Sequence, residues 1–312
     1  MSRRLSAILV CAVVPITATA LVTPSVSTAA EPPEIGRCLK KGVAEGSGYS
    51  NATCTTAATG SEAKYEWVAG PGPKAGFISE AREVPTLKDK RCKIWKKEVE
   101  AGHTETAEAD LKKWHYTAAE CEKTLAENES KEPVVLETVT GTKIECGGVT
   151  ATGEYSGAKS VANVKATFSE CVIGNTEVSC NSPGAKVGEI TSSSLEGVLG
   201  VIKKESNPAN SKVGVRLQAS PLAANVAEFS CGTGINVVVT GSVIHEVTRN
   251  KMLLTETEKF DQAHGEQKPE NFEGGFDEVL KSSLNGETPV QAGEGLLTKL
   301  VNEEKMEVNT VA

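Results

Sequence analysis

The cysteines are the residues of this chain whose chemistry can be assigned most directly, and one of the nine stands apart from the rest. Cys11 lies in an apolar run behind Arg3 and Arg4, whereas the others follow Ala30. Cleavage of a leader near Ala30 would leave an even number of cysteines, which in an exported chain indicates disulfide bonds. The predicted disulfide cysteines are Cys38, Cys54, Cys92, Cys121, Cys146, Cys171, Cys180 and Cys231.

The predicted pairing follows proximity in the sequence and the faces of the predicted strands. Cys38 and Cys54 flank a Gly-Ser turn, so a local bond is the simplest pairing. Ile144-Glu145-Cys146 and Phe229-Ser230-Cys231 look alike, because each cysteine shares a strand face with the apolar residue two positions earlier. Other pairings stay open, since this many cysteines permit many connectivities. For the last two bonds we expect Cys146–Cys231 and Cys171–Cys180.

Side chains suited to catalysis or metal binding do not form a recognised motif. The sequence contains no Gly-x-Ser-x-Gly elbow, Walker loop, His-Glu-x-x-His helix or Cys-x-x-Cys pair. His245-Glu246 begins like a zinc helix, but Arg249 stands where the second histidine belongs. The remaining histidines are scattered along the chain, at His103, His115 and His264. We therefore expect no metal site, no cofactor and no catalytic residue set.

Glutamate is abundant enough to supply the paired carboxylates that glycoside hydrolases use. The pairs Glu256/Glu258 and Glu303/Glu304 are the nearest examples, and we interpret them as solvated strand and turn charges. A secreted hydrolase that acts on glycans or peptides through glutamates of the β-domain stays open as the alternative function.

Composition excludes some partners. Without the two leader arginines, 31 basic residues face 41 acidic ones, a net charge of −10 that repels phosphate backbones. Aromatic residues make up only 4% of the chain, which leaves few platforms for stacking on bases or sugars. Nucleic acid is therefore not an expected partner.

The N-terminus predicts export. Arg3 and Arg4 precede an apolar run from Ala7 to Val22, and Thr28-Ala29-Ala30 offers small residues for cleavage. The run is shorter than a membrane-spanning helix and contains Pro15. We predict a signal peptide at residues 1–30, no membrane span in the mature chain, and a secreted or cell-envelope location.

Residues 31–132 contain the cysteines of two predicted disulfides and divide into two segments of different predicted structure. Residues 31–81 predict a disulfide loop and short strands that pair with the main sheet. Residues 82–132 are dense in Lys and Glu with helical spacing, which predicts a helical hairpin inserted into the β-structure, with a break at Gly102. Trp95 and Trp114 are expected in the seam between its helices. A Cys92–Cys121 bond would staple the hairpin, provided that the helices cross with an offset or the loop is wide.

The periodicity of residues 133–312 changes to two, with turns between strands. The predicted strands are Leu136–Val139, Lys143–Cys146, Val164–Phe168, Leu199–Lys203, Val213–Leu217, Val226–Ser230, Ile235–Val247, Thr255–Phe260 and Met306–Val308. The fold class predicted for the chain is mainly β: an antiparallel β-sandwich or barrel-like domain with an inserted helical hairpin.

Four short stretches carry a resemblance, and they are Leu136–Val139, Gly153–Gly157, Lys268–Gly274 and Asn302–Val308. Through these four stretches, the chain resembles a group of uncharacterised secreted β-rich proteins of soil actinobacteria. The resemblance implies secretion and a shared β-fold, and it brings no activity and no functional residue with it.

These observations predict a non-enzymatic binding or structural protein with an unidentified extracellular or cell-envelope partner. A secreted hydrolase is one alternative. A protease or lysozyme inhibitor that presents a loop closed by Cys171 and Cys180 is another.

Overall fold

A computed structural model describes residues 33–81, 87–127, 134–174, 176, 178–221 and 225–311. The predicted signal peptide, residues 1–30, lies outside these described residues. The α-helices of the described chain are α1 (Leu87–Glu100), α2 (Thr104–Trp114) and α3 (Ala118–Glu127). The strands are β1 (Glu34–Lys40), β2 (Ser47–Tyr49), β3 (Ala57–Thr59), β4 (Tyr65–Ala69), β5 (Gly76–Ala81), β6 (Val134–Thr138), β7 (Lys143–Cys146), β8 (Gly148–Gly157), β9 (Ser160–Ser169), β10 (Val172–Ile173), β11 (Cys180–Asn181), β12 (Ile190–Thr191), β13 (Leu195–Lys203), β14 (Lys212–Ala219), β15 (Ala227–Cys231), β16 (Ile235–Thr240), β17 (Ser242–Glu246), β18 (Leu253–Ala263), β19 (Glu266–Lys268), β20 (Leu280–Leu284) and β21 (Val290–Asn309).

Eight antiparallel strands close into a barrel, in the order β5–β8–β9–β13–β14–β17–β18–β21 and back to β5. The prediction of a mainly β, barrel-like fold is confirmed. Alternate residues point inward, and Val213 and Val215 of β14 are both buried in the barrel core. Gly153 allows β8 to approach β5 closely, because a Cβ there would lie 2.5 Å from the ring of Phe77.

A second antiparallel sheet continues from the barrel, in the order β10–β7–β6–β21–β20–β16–β15–β11. An isolated bridge between Val172 and Ser179 joins its two edges. The long strand β21 belongs to both sheets, since Ala292 pairs with β6 and β20 whereas Leu300 pairs with β5 and β18. The two sheets therefore share one strand, and their inner faces meet in one interior.

The N-terminal strands pack against the C-terminal end of β21. β1 pairs with β21 on one side and with β4 on the other. Ile35 of β1 is opposite Val308 of β21, and both side chains pack in the barrel core. The other face of β1 carries Glu34 and Cys38, which are also buried. This small sheet thus extends the barrel core at one end and holds its own disulfide.

The inserted segment forms three helices instead of the two of a simple hairpin. α1 ends at Glu100, and Gly102 shortly after it has a φ of +80°, which suits glycine. The predicted second helix is interrupted because His115 adopts the left-handed conformation at the end of α2. Thr117 and Glu120 then start α3 with reciprocal side-chain to backbone hydrogen bonds, of 2.8 Å and 3.2 Å. The break lets α3 turn back onto α1.

The interior of the insertion follows the predicted seam. Trp95 is buried with Cys92 and Cys121, and Trp114 packs against this cluster. The placement of both tryptophans between the helices is therefore confirmed. Cys92 and Cys121 are bonded, with their Cα atoms 4.9 Å apart. Among the described helices, none is long and apolar enough to cross a membrane.

All eight predicted cysteines are in disulfides, but two of the predicted pairings are wrong. Cys38–Cys54 and Cys92–Cys121 are confirmed. The other bonds are Cys146–Cys171 and Cys180–Cys231 rather than Cys146–Cys231 and Cys171–Cys180. The register of the second sheet explains the difference. Cys180 lies directly opposite Cys231, and the β7–β10 register, extended by one residue, brings Cys146 opposite Cys171.

The strand predicted from Ile235 to Val247 is two strands. Gly241 separates them with a φ of +90°, and a Cβ there would lie 2.2 Å from the carbonyl oxygen of Val279. β16 pairs within the second sheet, whereas β17 pairs within the barrel. Gly241 is therefore the point at which the chain passes from one sheet to the other.

Candidate functional site

The barrel contains a cavity of about 160 Å³, and residues of the second sheet also line it. Its lining is mainly apolar. Val215, Leu217 and Leu300 come from the barrel, whereas Phe229 and Leu280 come from the second sheet. The polar residues that also line it are Ser79, Tyr155, Ser192, His245, Glu256, Glu258, Glu294 and Thr298. Several of these form one cluster, which we call the lumen cluster: Ser79, Tyr155, His245, Glu256, Glu258, Thr298 and Asn302.

Glu258 is the centre of the lumen cluster. It occupies an inward position of β18, directly opposite Thr298 of β21, and its side chain is 11% exposed. The hydroxyl groups of Ser79 and Thr298 donate hydrogen bonds to its Oε2, at 3.2 Å and 3.1 Å. Two hydroxyl donors on one oxygen fix the carboxylate and leave Oε1 directed elsewhere.

His245 lies beside that second oxygen. Its Nδ1 is 3.6 Å from Oε1 of Glu258, which is longer than a hydrogen bond, and Nδ1 is buried with no hydrogen-bond partner. The ring stacks on Phe260, with centroids 4.5 Å apart. Burial lowers the pKa of His245 below its usual 6.5, and the charge of Glu258 opposes that shift. The imidazole is therefore neutral at pH 7, with an unused nitrogen.

Glu256 occupies the next inward position of β18. Burial, followed by the charge of Glu258, raises its pKa from 4.5 to about 7, although hydrogen bonds from Thr248 and Asn302 oppose the shift. Tyr155 donates a hydrogen bond of 2.9 Å from its hydroxyl to Oδ1 of Asn302. Burial and the two carboxylates raise the pKa of Tyr155 well above 10, so the phenol stays protonated. The cluster thus contains two carboxyl groups, and the charge of Glu258 contributes to the raised pKa of Glu256.

Glu294 is a further carboxyl group of the cavity lining, on the part of β21 that belongs to the second sheet. Burial alone raises its pKa from 4.5 to about 7. Its backbone N–H donates a hydrogen bond of 3.0 Å to Oε1 of Gln267. The cavity therefore carries ionisable groups along its length.

The interpretation of Glu256 and Glu258 as solvated charges is wrong, because both point into the barrel. One signal in the sequence identifies them: Phe260 has the same parity on β18, so the face that buries the aromatic ring also carries both carboxylates. In the other pair, Glu303 is exposed as predicted, whereas the prediction is wrong for Glu304. Glu304 is partly buried, and its Oε1, which is out of contact with solvent, lies 3.6 Å from Nη1 of Arg37.

The remaining candidate residues stay apart from the lumen cluster. His103 pairs with Glu98 in the helical insertion, at 2.8 Å. The eight cysteines serve as disulfides. In the part of the chain that the structure describes, no three His, Cys, Asp or Glu side chains are grouped so as to hold a metal ion.

Comparisons of the chain with models of protein families, with curated proteins and with solved structures return no match. The resemblance to secreted actinobacterial proteins therefore stays a prediction, and arguments about function rest on the cavity and its polar groups.

Proposed function

We propose that this protein is a non-enzymatic binding protein that holds a small, mainly apolar molecule inside its barrel. The observation that carries the proposal is the apolar cavity with a compact polar cluster on its wall. Small-molecule sites combine these two features, because apolar walls supply burial and a few polar groups fix orientation. Small closed barrels commonly use their interior in this way.

The volume of the cavity limits the size of the ligand. About 160 Å³ is close to the roughly 150 Å³ of an engineered apolar cavity that admits benzene. A substituted benzene ring or a short alkyl chain suits this space, whereas an oligosaccharide does not. Sugars also need many hydrogen-bond partners, and most of the lining is apolar.

We further propose that the protein acts outside the cell or in the cell envelope. Four disulfides fit an oxidising compartment. The cleavable leader predicted at residues 1–30 supports the same location. Detection of the mature chain in culture fluid or washed envelope tests this part of the proposal, and its absence from both would contradict it.

A hydrolase stays the second candidate because of one observation. Glu256, with a pKa of about 7, is suited to act as a general acid beside Glu258. Turnover assays against small glycosides and peptides test this role. Activity lost in both Glu256→Gln and Glu258→Gln would support the hydrolase and overturn the binding proposal. The inhibitor alternative loses its presenting element, because Cys171 and Cys180 bond to other cysteines.

A cavity-filling substitution tests ligand binding directly. Ala151 lines the cavity, whereas Thr152, the next residue of β8, is exposed beside Lys165. We expect the wild-type protein to bind toluene and 2-phenylethanol in a calorimetric titration. Ala151→Phe should abolish that binding, and the matched control Thr152→Phe should retain it. Binding that survives Ala151→Phe unchanged, or no binding by the wild type, would contradict the proposal.

A further inference from the structure

We infer that the ligand of the barrel carries a primary amine, whose ammonium group binds between Glu258, Glu256 and His245. The inference rests on the proposed ligand-binding function and deepens it, because it names the chemical class of the ligand. It follows from the hydrogen-bonding capacity that the lumen cluster leaves unused.

The first unused group is one oxygen of Glu258. Its Oε2 already accepts from Ser79 and Thr298, whereas Oε1 has His245 Nδ1 as its near neighbour at 3.6 Å. A carboxylate has acceptor sites on both oxygens. Oε1 is therefore oriented in advance for a donor that enters the cavity, and a charged donor forms the stronger bond.

The second unused group is His245. The side chain is only 4% exposed, and its Nδ1 lacks a hydrogen-bond partner. A buried polar atom without a partner is costly unless a ligand or water satisfies it. Since the ring is neutral, Nδ1 is an acceptor in the tautomer that carries the proton on Nε2. An ammonium group offers three donors, which matches Glu258, Glu256 and this nitrogen.

The charge of the cluster distinguishes an amine from an acid. Glu256 and Glu258 face the same space, and no cationic side chain lines the cavity in the described part of the chain. A ligand carboxylate would meet two carboxyl groups of like charge, whereas an ammonium ion would relieve their repulsion. The apolar remainder of the lining then accommodates a hydrocarbon or aromatic tail.

The same groups predict a pH dependence of amine binding. Without ligand, Glu256 and Glu294 each have a pKa of about 7, so both gain protons as the pH falls. Protonation of His245 at lower pH acts in the same direction, and Tyr155 stays neutral throughout. Amine affinity should therefore fall between pH 8 and pH 5.5, whereas the affinity of a neutral ligand should stay constant.

Three probes of nearly equal shape test the inference by calorimetry at pH 8: phenethylamine, 2-phenylethanol and 3-phenylpropionate. We expect the amine to bind about tenfold to hundredfold more tightly than the alcohol, and the carboxylate to bind least. Glu258→Gln should reduce the difference between amine and alcohol to about threefold or less, because a glutamine keeps the size but loses the charge. Glu256→Gln should reduce the difference and also remove most of its pH dependence. Glu246→Gln, which removes an outward-facing charge next to His245, is the matched control and should leave all three affinities unchanged.

The outcomes separate the inference from the function on which it depends. Equal affinities for amine and alcohol, or tightest binding of the carboxylate, would overturn the amine inference while ligand binding stands. An amine preference that survives both Glu258→Gln and Glu256→Gln would overturn the assigned site. Failure of all three probes to bind would overturn both proposals.

Discussion

Replacement of Glu307 by glutamine should make the protein more stable at pH 8 and leave it nearly unchanged at pH 4. Glu307 lies on β21 opposite Gly36, in the small N-terminal sheet rather than in the cavity. The residue is 2% exposed, and both carboxylate oxygens lack a hydrogen-bond partner. An ionised carboxylate in such a place destabilises the folded state, whereas a neutral amide of the same shape does not carry that cost.

The expected magnitude follows from the pKa. Burial raises the pKa of Glu307 from 4.5 to about 7. Because the folded-state pKa lies above the unfolded one, the stabilising effect of the protonated form is complete below pH 4.5 and is lost as the pH rises to about 7. A shift of this size corresponds to about 3 kcal/mol of unfolding free energy. The Glu307→Gln variant should not lose this unfolding free energy as the pH rises.

Urea denaturation followed by circular dichroism at pH 4 and pH 8 measures the effect. The difference in unfolding free energy between Glu307→Gln and wild type should grow by about 3 kcal/mol between the two pH values. Use of this difference cancels the contributions of other groups such as His245, whose lowered pKa acts in the opposite direction. Glu66→Gln, at an exposed position of β4 in the same sheet, should show no such growth. Equal pH dependence in Glu307→Gln and wild type would refute the reasoning.

Two predictions concern the fold itself. Peptide mapping without reduction should recover Cys146 linked to Cys171 and Cys180 linked to Cys231, because Cys180 lies opposite Cys231 and the β7–β10 register, extended by one residue, brings Cys146 opposite Cys171. Recovery of a Cys146–Cys231 peptide would show that the strand register is wrong. Replacement of residues 82–133 by a short Gly-Ser linker should leave the barrel folded, since Ala81 lies opposite Thr298 and Val135 opposite Gly295, so the chain leaves and rejoins the neighbourhood of β21 within a few residues. The circular dichroism spectrum of this variant should retain the β-strand signal, and its thermal unfolding should stay cooperative. Loss of both would show that the barrel needs the insertion in order to fold.

The sequence carries enough information to predict most strands and the helical insertion, because alternation and helical spacing are local signals. Their limits appear at particular residues. His115 adopts a φ of +58°, and a histidine in the sequence does not indicate a left-handed conformation. The break between α2 and α3 therefore cannot be predicted from the sequence. Gly241 is the only residue in the sequence between β16 and β17 that indicates the passage of the chain from the second sheet to the barrel. Whether the strands form a sandwich or a barrel depends on pairings between distant segments, which local patterns leave undetermined.

The lumen cluster was missed for a physical reason. On β18, Thr255 and Thr257 point outward while Glu256 and Glu258 point inward, so both faces of this stretch are polar and alternation gives no contrast. Ser79 and Thr298 are far apart in the sequence, and only the closure of the barrel through β21 brings their hydroxyl groups to one carboxylate. A buried cluster built from non-local strand pairings cannot be read from residue spacing.

The most direct test of the central claim is the position of a bound ligand, measured by intermolecular nuclear Overhauser effects between phenethylamine and methyl groups of the protein. Occupation of the barrel predicts contacts with the inward methyl groups of Val215, Val243 and Leu300, all of which line the cavity. Outward methyl groups on the same barrel, those of Ile78, Val198 and Val301, should show none. Contacts confined to these outward groups, or an absence of contacts at saturating ligand, would contradict the claim that the barrel interior is the binding site.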